Sequence, residues 1–283
     1  MELAKLPAPG RPDIEDYRAV SHGRSEPARA ALIGAEPRIA AAYAAYSVPG
    51  PDPIAPIATT IPEAEALKSN FRALDEGRAL ATVRSALFDA VPLLRCPYCG
   101  TGIATTLDHY LPKARFPEFS ILGVNLVPSC GRCNLKKLSA LPYRAGRRIR
   151  HVYFDELPVG ERYLAAEIVA GEDRIDVTFS VVRSETMTEE QVGGLRLQFE
   201  MLDLGTLYRI EAARELVDRR LQIVTVHAAG GSPAVVRYLE GEAASAVAGH
   251  GVNCWRAVLL DALAGSDPFC EGGFDVIEHP TAW

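Results

Sequence analysis

The 283-residue chain is 48% apolar and 23% charged, with a formal net charge of −6, a balance that supports a substantial buried core in one large or two modest domains. Six cysteines are too few for a disulfide scaffold at this length and point to a reducing compartment. No stretch approaches the roughly 18 uninterrupted apolar residues of a membrane helix, and the opening MELAKLPAPGRPDIEDY lacks the basic-then-apolar order of a signal peptide, so a cytoplasmic protein without a membrane partner is expected.

Residues 1–95 read as a mostly helical region. Pro7, Pro9 and Pro12 favour an extended start, and Ser47 to Pro62 holds five prolines in sixteen residues, which excludes a continuous helix and marks a strap. Pro62 suits a helix N1 position with Glu63 and Glu65 in the first turn. Leu67, Phe71 and Leu74 follow at helical spacing, predicting an amphipathic helix that reaches roughly the 80s.

From Cys96 to about Leu141 the text changes to short elements punctuated by Gly and Pro. Thr105 to Leu111 is β-prone and Pro112 ends it; Asn125-Leu126-Val127-Pro128 leads to a second short extended run, and Cys133-Asn134-Leu135-Lys136-Lys137 opens a short helix. Two C-x2-C pairs, Cys96/Cys99 and Cys130/Cys133, bracket this segment. That spacing lets four thiolates converge on one structural zinc ion. Between and beside the pairs stand Asp108-His109, Asn125 and Asn134, residue types able to hold a hard cation and deprotonate a water.

Charge singles out the same segment. Arg95 to Arg150 carries ten Lys or Arg against two acids, a balance of +8, while the remainder carries 20 bases against 34 acids. A basic island in an acidic protein predicts one surface that meets phosphates. Lys113, Arg115, Arg132, Lys136 and Lys137 are its candidate phosphate contacts.

Residues 142–283 read as an α+β C-terminal region. His151 to Phe154 and Ile175 to Phe179 are β-rich, and Thr188 with Gln191 is a capping-box signature ahead of Val192, Leu195, Phe199 and Leu202 at helical spacing. Further helices are expected over Leu207 to about Val226 and Asn253 to Leu263. Cys254 and Cys270 read as buried small hydrophobes. The remaining histidines, His22, His151, His227, His250 and His279, are isolated and receive no role; no Walker-type phosphate loop is present.

Residues 96 to 137, CPYCG…LDHYLPK…NLVPSCGRCNLKK, resemble the HNH endonuclease family, the ββα-metal nucleases, in its variant with four zinc-binding cysteines. The third motif position, often histidine in that family, is Asn134 here. The resemblance implies an α+β fold with a zinc-stapled ββα-metal core embedded in a larger, mostly helical protein. It implies His109 as the general base, Asp108 and Asn134 as ligands of one catalytic Mg2+ or Mn2+, and Asn125 as the brace of the loop that orients His109. The implied activity is hydrolysis of DNA to 5′-phosphate products, with RNA open as a substrate. It also implies a setting in bacterial defence beside an ATPase or other protein partner; the acidic, helix-rich character of the flanks favours a partner-binding or regulatory body, residues 142–283 among them. One geometric point stands against simple periodicity: neighbours on a regular strand face opposite ways, so Asp108 and His109 share a site only where the strand twists or ends. The competing expectation is a zinc ribbon that binds nucleic acid or a protein without turnover.

Overall fold

The computed structural model describes residues 5–10, 13–46 and 55–277; Pro12, His279 and the first half of the expected strap, 47–54, lie outside them. The chain divides into two compact units, Ala4–Glu156 and a second built from Leu157 onward. Helices dominate both, joined by short antiparallel strand pairs, an α+β composition.

In the first unit, α1 (Asp13–His22), α2 (Ala28–Tyr46) and α3 (Ile61–Ser69) pack together before a 3-10 segment, Asn70–Leu74, and α4 (Ala81–Asp89). Thr60 caps α3: its hydroxyl accepts the Glu63 amide while the Glu63 carboxylate takes the Thr60 amide, with Pro62 in the first turn. The helix expected to run into the 80s is interrupted. After Ser69 the chain tightens to 3-10 geometry, and Gly77 sits at φ +72° in the turn before α4, a conformation glycine adopts without a Cβ penalty.

Next come β1 (Thr106–His109), β2 (Leu126–Ser129) and α5 (Gly131–Lys137). The two strands are antiparallel, with Asp108 opposite Val127 and His109 opposite Leu126, and α5 packs on β1. A two-residue-per-strand hairpin, β3 (Tyr143–Arg144) with β4 (Arg147–Arg148), follows. The stretch His151–Phe154, expected to be β-rich, is a turn instead. Asp155 takes the His151 amide at 2.7 Å and accepts both terminal nitrogens of Arg148, so a side-chain carboxylate satisfies backbone that a ladder would otherwise satisfy. Tyr153 donates to Leu126 O at 2.7 Å and Arg150 to Pro97 O at 2.9 Å. Residues 142–156 therefore belong with the first unit, although the sequence places them with the C-terminal region.

In the second unit, β5 (Leu164–Ala170) pairs antiparallel with β6 (Ile175–Val181). Thr188 and Gln191 form the expected reciprocal cap of α6 (Glu189–Met201). The next helical run, α7 (Leu204–His250), breaks at Gly230-Gly231, just before Pro233, so that its first part covers the helix expected over Leu207 to about Val226 and a second helical part follows. It packs on α8 (Trp255–Ala264) and on α9 (Asp267–Cys270). Cys254 and Cys270 are buried. Among the described residues no helix is long and apolar enough to cross a membrane.

Candidate metal centre and Asp-His site

The four cysteines of the two C-x2-C pairs meet. Cys96, Cys99, Cys130 and Cys133 are all buried, and their sulfurs lie within 4.8 Å of one another. The Cys99 and Cys130 sulfurs are 3.9 Å apart. Tetrahedral ligands at a Zn–S distance of about 2.3 Å require sulfurs roughly 3.8 Å apart, so the cluster can hold a zinc ion.

Local backbone explains the convergence. Gly100 turns back at φ +67°, its amide reaching Cys96 O at 2.8 Å. Thr101 Oγ1 and the Gly102 amide donate to Cys99 Sγ at 3.2 and 3.5 Å. Cys130 is the N-cap residue of α5, its sulfur accepting the Cys133 amide at 3.4 Å. Each donor favours thiolate over thiol. Gly102 is required by space: a Cβ there would sit 2.7 Å from Cys130 Cβ.

Asp108 and His109 end β1 and face different neighbours. Asp108, 2% exposed, accepts the Tyr98 hydroxyl at 2.9 Å and the Lys137 ammonium at 3.1 and 3.4 Å on its two oxygens. Burial raises the Asp108 carboxyl and lowers the Lys137 ammonium from their ordinary values, and each charge opposes the shift of the other. Lys137 also donates to His109 O at 2.5 Å and is wholly buried. This corrects the expectation for Lys137. It is an internal counter-ion of Asp108, not a phosphate contact, because the last turn of α5 lies against β1.

His109 is 8% exposed. Its Nε2 lies 3.0 Å from Ser120 O; a carbonyl only accepts, so Nε2 carries the proton and Nδ1 keeps its lone pair. Burial pushes the imidazole down to about 3, against the Ser120 carbonyl that favours the charged form, so the ring is neutral at ordinary pH. The Phe71 ring packs on it at 4.7 Å between centroids, and the Lys113 ammonium sits 4.1 Å from the Phe71 centroid.

Asn125 spans the loop between β1 and β2. Its side chain accepts from Leu111 N at 2.8 Å and Tyr46 at 3.0 Å, and donates to Leu111 O and Phe119 O, both at 3.1 Å. Its backbone oxygen takes the Tyr110 amide. Both ends of the segment after His109 are thus tied to one amide. Asn134 is half-buried on α5, one turn before Lys137. A carboxylate and an amide oxygen are the donor types a hard divalent cation takes, so Asp108 and Asn134 fit that ion in chemistry, with Lys137 already compensating the carboxylate. Arg115 and Lys136 are exposed and Arg132 is half-buried.

His151 was given no role by its isolation in the sequence. It is buried beside the site, its Nε2 3.1 Å from the Tyr46 hydroxyl, whose proton goes to Asn125. Only folding brings residues 46, 125 and 151 together.

No family model matches the chain. It is similar to "Protein ea31" of Escherichia phage lambda, 30% identical over 190 residues that cover 63% of this chain and 64% of that protein. No solved structure matches.

Proposed function

We propose that the first unit is a metal-dependent HNH-type endonuclease that hydrolyses DNA phosphodiester bonds. The observation that carries this reading is the order β1, β2, α5 behind the Cys96–Cys99 turn, a short stretch of chain that holds the four-cysteine cluster, the terminal Asp108-His109 pair and Asn134. In this reading His109 takes a proton from the attacking water at Nδ1, with Ser120 O fixing the tautomer and Asn125 fixing the loop. Asp108 and Asn134 would hold Mg2+ or Mn2+, which when bound supplies Lewis-acid stabilisation of charge on the phosphate. The zinc cluster is structural, since all four ligand positions are taken by cysteine.

Charge supports this unit as the one that meets nucleic acid. The chain from Leu157 carries ten Arg and no Lys against twenty acids, which repels phosphate. We assign that unit to a protein partner, an ATPase subunit in bacterial defence being the setting the motif resemblance implies. Zinc-loaded protein incubated with supercoiled plasmid in Mg2+ or Mn2+ is expected to cut it and to lose that activity in EDTA. RNA cleaved in place of the plasmid would reassign the substrate.

A second reading, a zinc-stabilised nucleic-acid binder or adaptor without turnover, is favoured by the Lys137 ammonium on Asp108 and by Phe71 over His109. It predicts DNA binding with no divalent-dependent cleavage in any condition.

A further inference from the structure

A second group of cationic side chains in the first unit lies outside the cysteine-bracketed segment. A cavity of about 350 Å³ opens between the last turn of α1 and the 3-10 segment, lined by Arg24, Asn70, Arg72 and Arg78 with small apolar residues such as Ala19 and Ala73 leaving room. Three arginines line it. Arg24 is aimed by a hydrogen bond from its Nη2 to Ser69 Oγ at 2.6 Å, and Ser69 in turn donates to Ala66 O. The 75–78 turn that presents Arg78 is closed by Arg78 N on Asp75 O at 3.0 Å. Among the described residues no carboxylate pairs with Arg24, Arg72 or Arg78. Asn70 is 1% exposed, yet neither its amide nitrogen nor its oxygen has a partner among the described residues. A buried side-chain amide left unbonded is costly and rare in folded proteins, and so marks a binding wall. Guanidinium forks and an amide N–H are the donors that recognise a phosphate.

Position says which phosphate. Asn70 and Arg72 flank Phe71, whose ring lies on His109. The charge of Arg72 also reaches Lys113, lowering its ammonium after burial, with Asp75 acting the other way and Lys68 adding to the effect. One five-residue segment thus carries a cationic cavity on one side and the cover of His109 on the other. We propose that Arg24, Asn70, Arg72 and Arg78 bind a flanking phosphate of the nucleic-acid strand presented to His109. This rests on the nuclease reading for the identity of the ligand, and on the cavity alone for its phosphate chemistry.

The test is binding, read without cleavage. Full-length, zinc-loaded His109→Ala protein is titrated onto a fluorescein-labelled single-stranded DNA oligonucleotide by anisotropy, with and without Arg72→Gln/Arg78→Gln, and with Arg174→Gln in the second unit as control. Both cavity arginines are exposed, so the double variant should melt within a few degrees of its parent. Affinity is expected to fall about tenfold in the double variant and the salt dependence to shrink by about 1.4 in log–log slope, at roughly 0.7 per lost phosphate contact on a single strand; the control should not move. Affinity and slope unchanged in the double variant overturn the proposal. So does binding of AMP or inorganic phosphate that depends on these arginines while oligonucleotide binding does not, which would mark a free-phosphate site. The two readings fail separately: arginine-independent binding by a protein whose wild type cuts DNA removes this inference alone, whereas arginine-dependent binding without cleavage removes the nuclease alone.

Discussion

Lys137 and His151 are buried titratable side chains around the site. The Lys137–Asp108 pair is 0% and 2% exposed, so removing one partner strands a charge in the interior. Lys137→Met is expected to destabilise the first unit by about 3–5 kcal/mol, read by urea denaturation, and Asp108→Asn added to it should recover a large part of that loss. An additive double variant would contradict the pairing. His151 is held neutral: its Nε2 donates to Tyr46, whose own proton is committed to Asn125, and its Nδ1 accepts the Tyr153 amide at 3.4 Å. Burial pushes it down to about 3, whereas in the unfolded chain it titrates near 6.5. Between those values the unfolded state binds the extra proton, so the stability this residue contributes is complete above about pH 6.5 and is lost as pH falls toward 3. His151→Gln should flatten the acid limb of a stability–pH curve by up to about 1.4 kcal/mol per pH unit within that window, and an unchanged limb would refute the neutral assignment.

At the scale of elements, β1, β2 and α5 are too short to stand alone, since four-residue strands and a seven-residue helix fall below what local propensity sustains. The cysteine cluster staples the turn ahead of β1 to the start of α5. One zinc per chain is expected by elemental analysis, and Cys99→Ser should lose it together with protease resistance of residues 96–137 while leaving the second unit folded. That unit depends on ordinary helix chemistry: Thr188→Ala should cost α6 about 1 kcal/mol, measurable by thermal melting, without altering DNA cleavage. These elements were legible because their signals are local. Cysteine spacing, the Thr188–Gln191 pattern and the alternation at Ile175 to Phe179 each act within a few residues. The helix expected past Ser69 was misjudged because Leu67, Phe71 and Leu74 keep apolar spacing through a 3-10 segment as well as through an α-helix. His151 to Phe154 looked extended by composition, but Asp155, which the β reading ignored, closes it into a turn.

For the whole molecule, sequence separation sets the limit of what could be read. The return of residues 142–156 to the first unit runs through Tyr153 on Leu126, Arg150 on Pro97 and Leu6 on Val152, pairings between distant residues that leave no periodic trace. Lys137 follows the same rule, since a lysine in a basic run reads as a phosphate contact until the helix is laid against Asp108. The cation-rich cavity escaped entirely because Arg24, Arg72 and Arg78 are scattered through the helical region rather than clustered in the text. The basic island, by contrast, was visible from composition along the chain, and it lies within the first unit. The most direct test of the central claim compares wild type with His109→Ala, both containing zinc, on supercoiled plasmid with Mg2+ or Mn2+. Cleavage by the wild type, reduced at least about 100-fold in the variant as expected for loss of a general base, is the predicted result. Equal cleavage by both proteins, or none by either, would contradict the role assigned to His109.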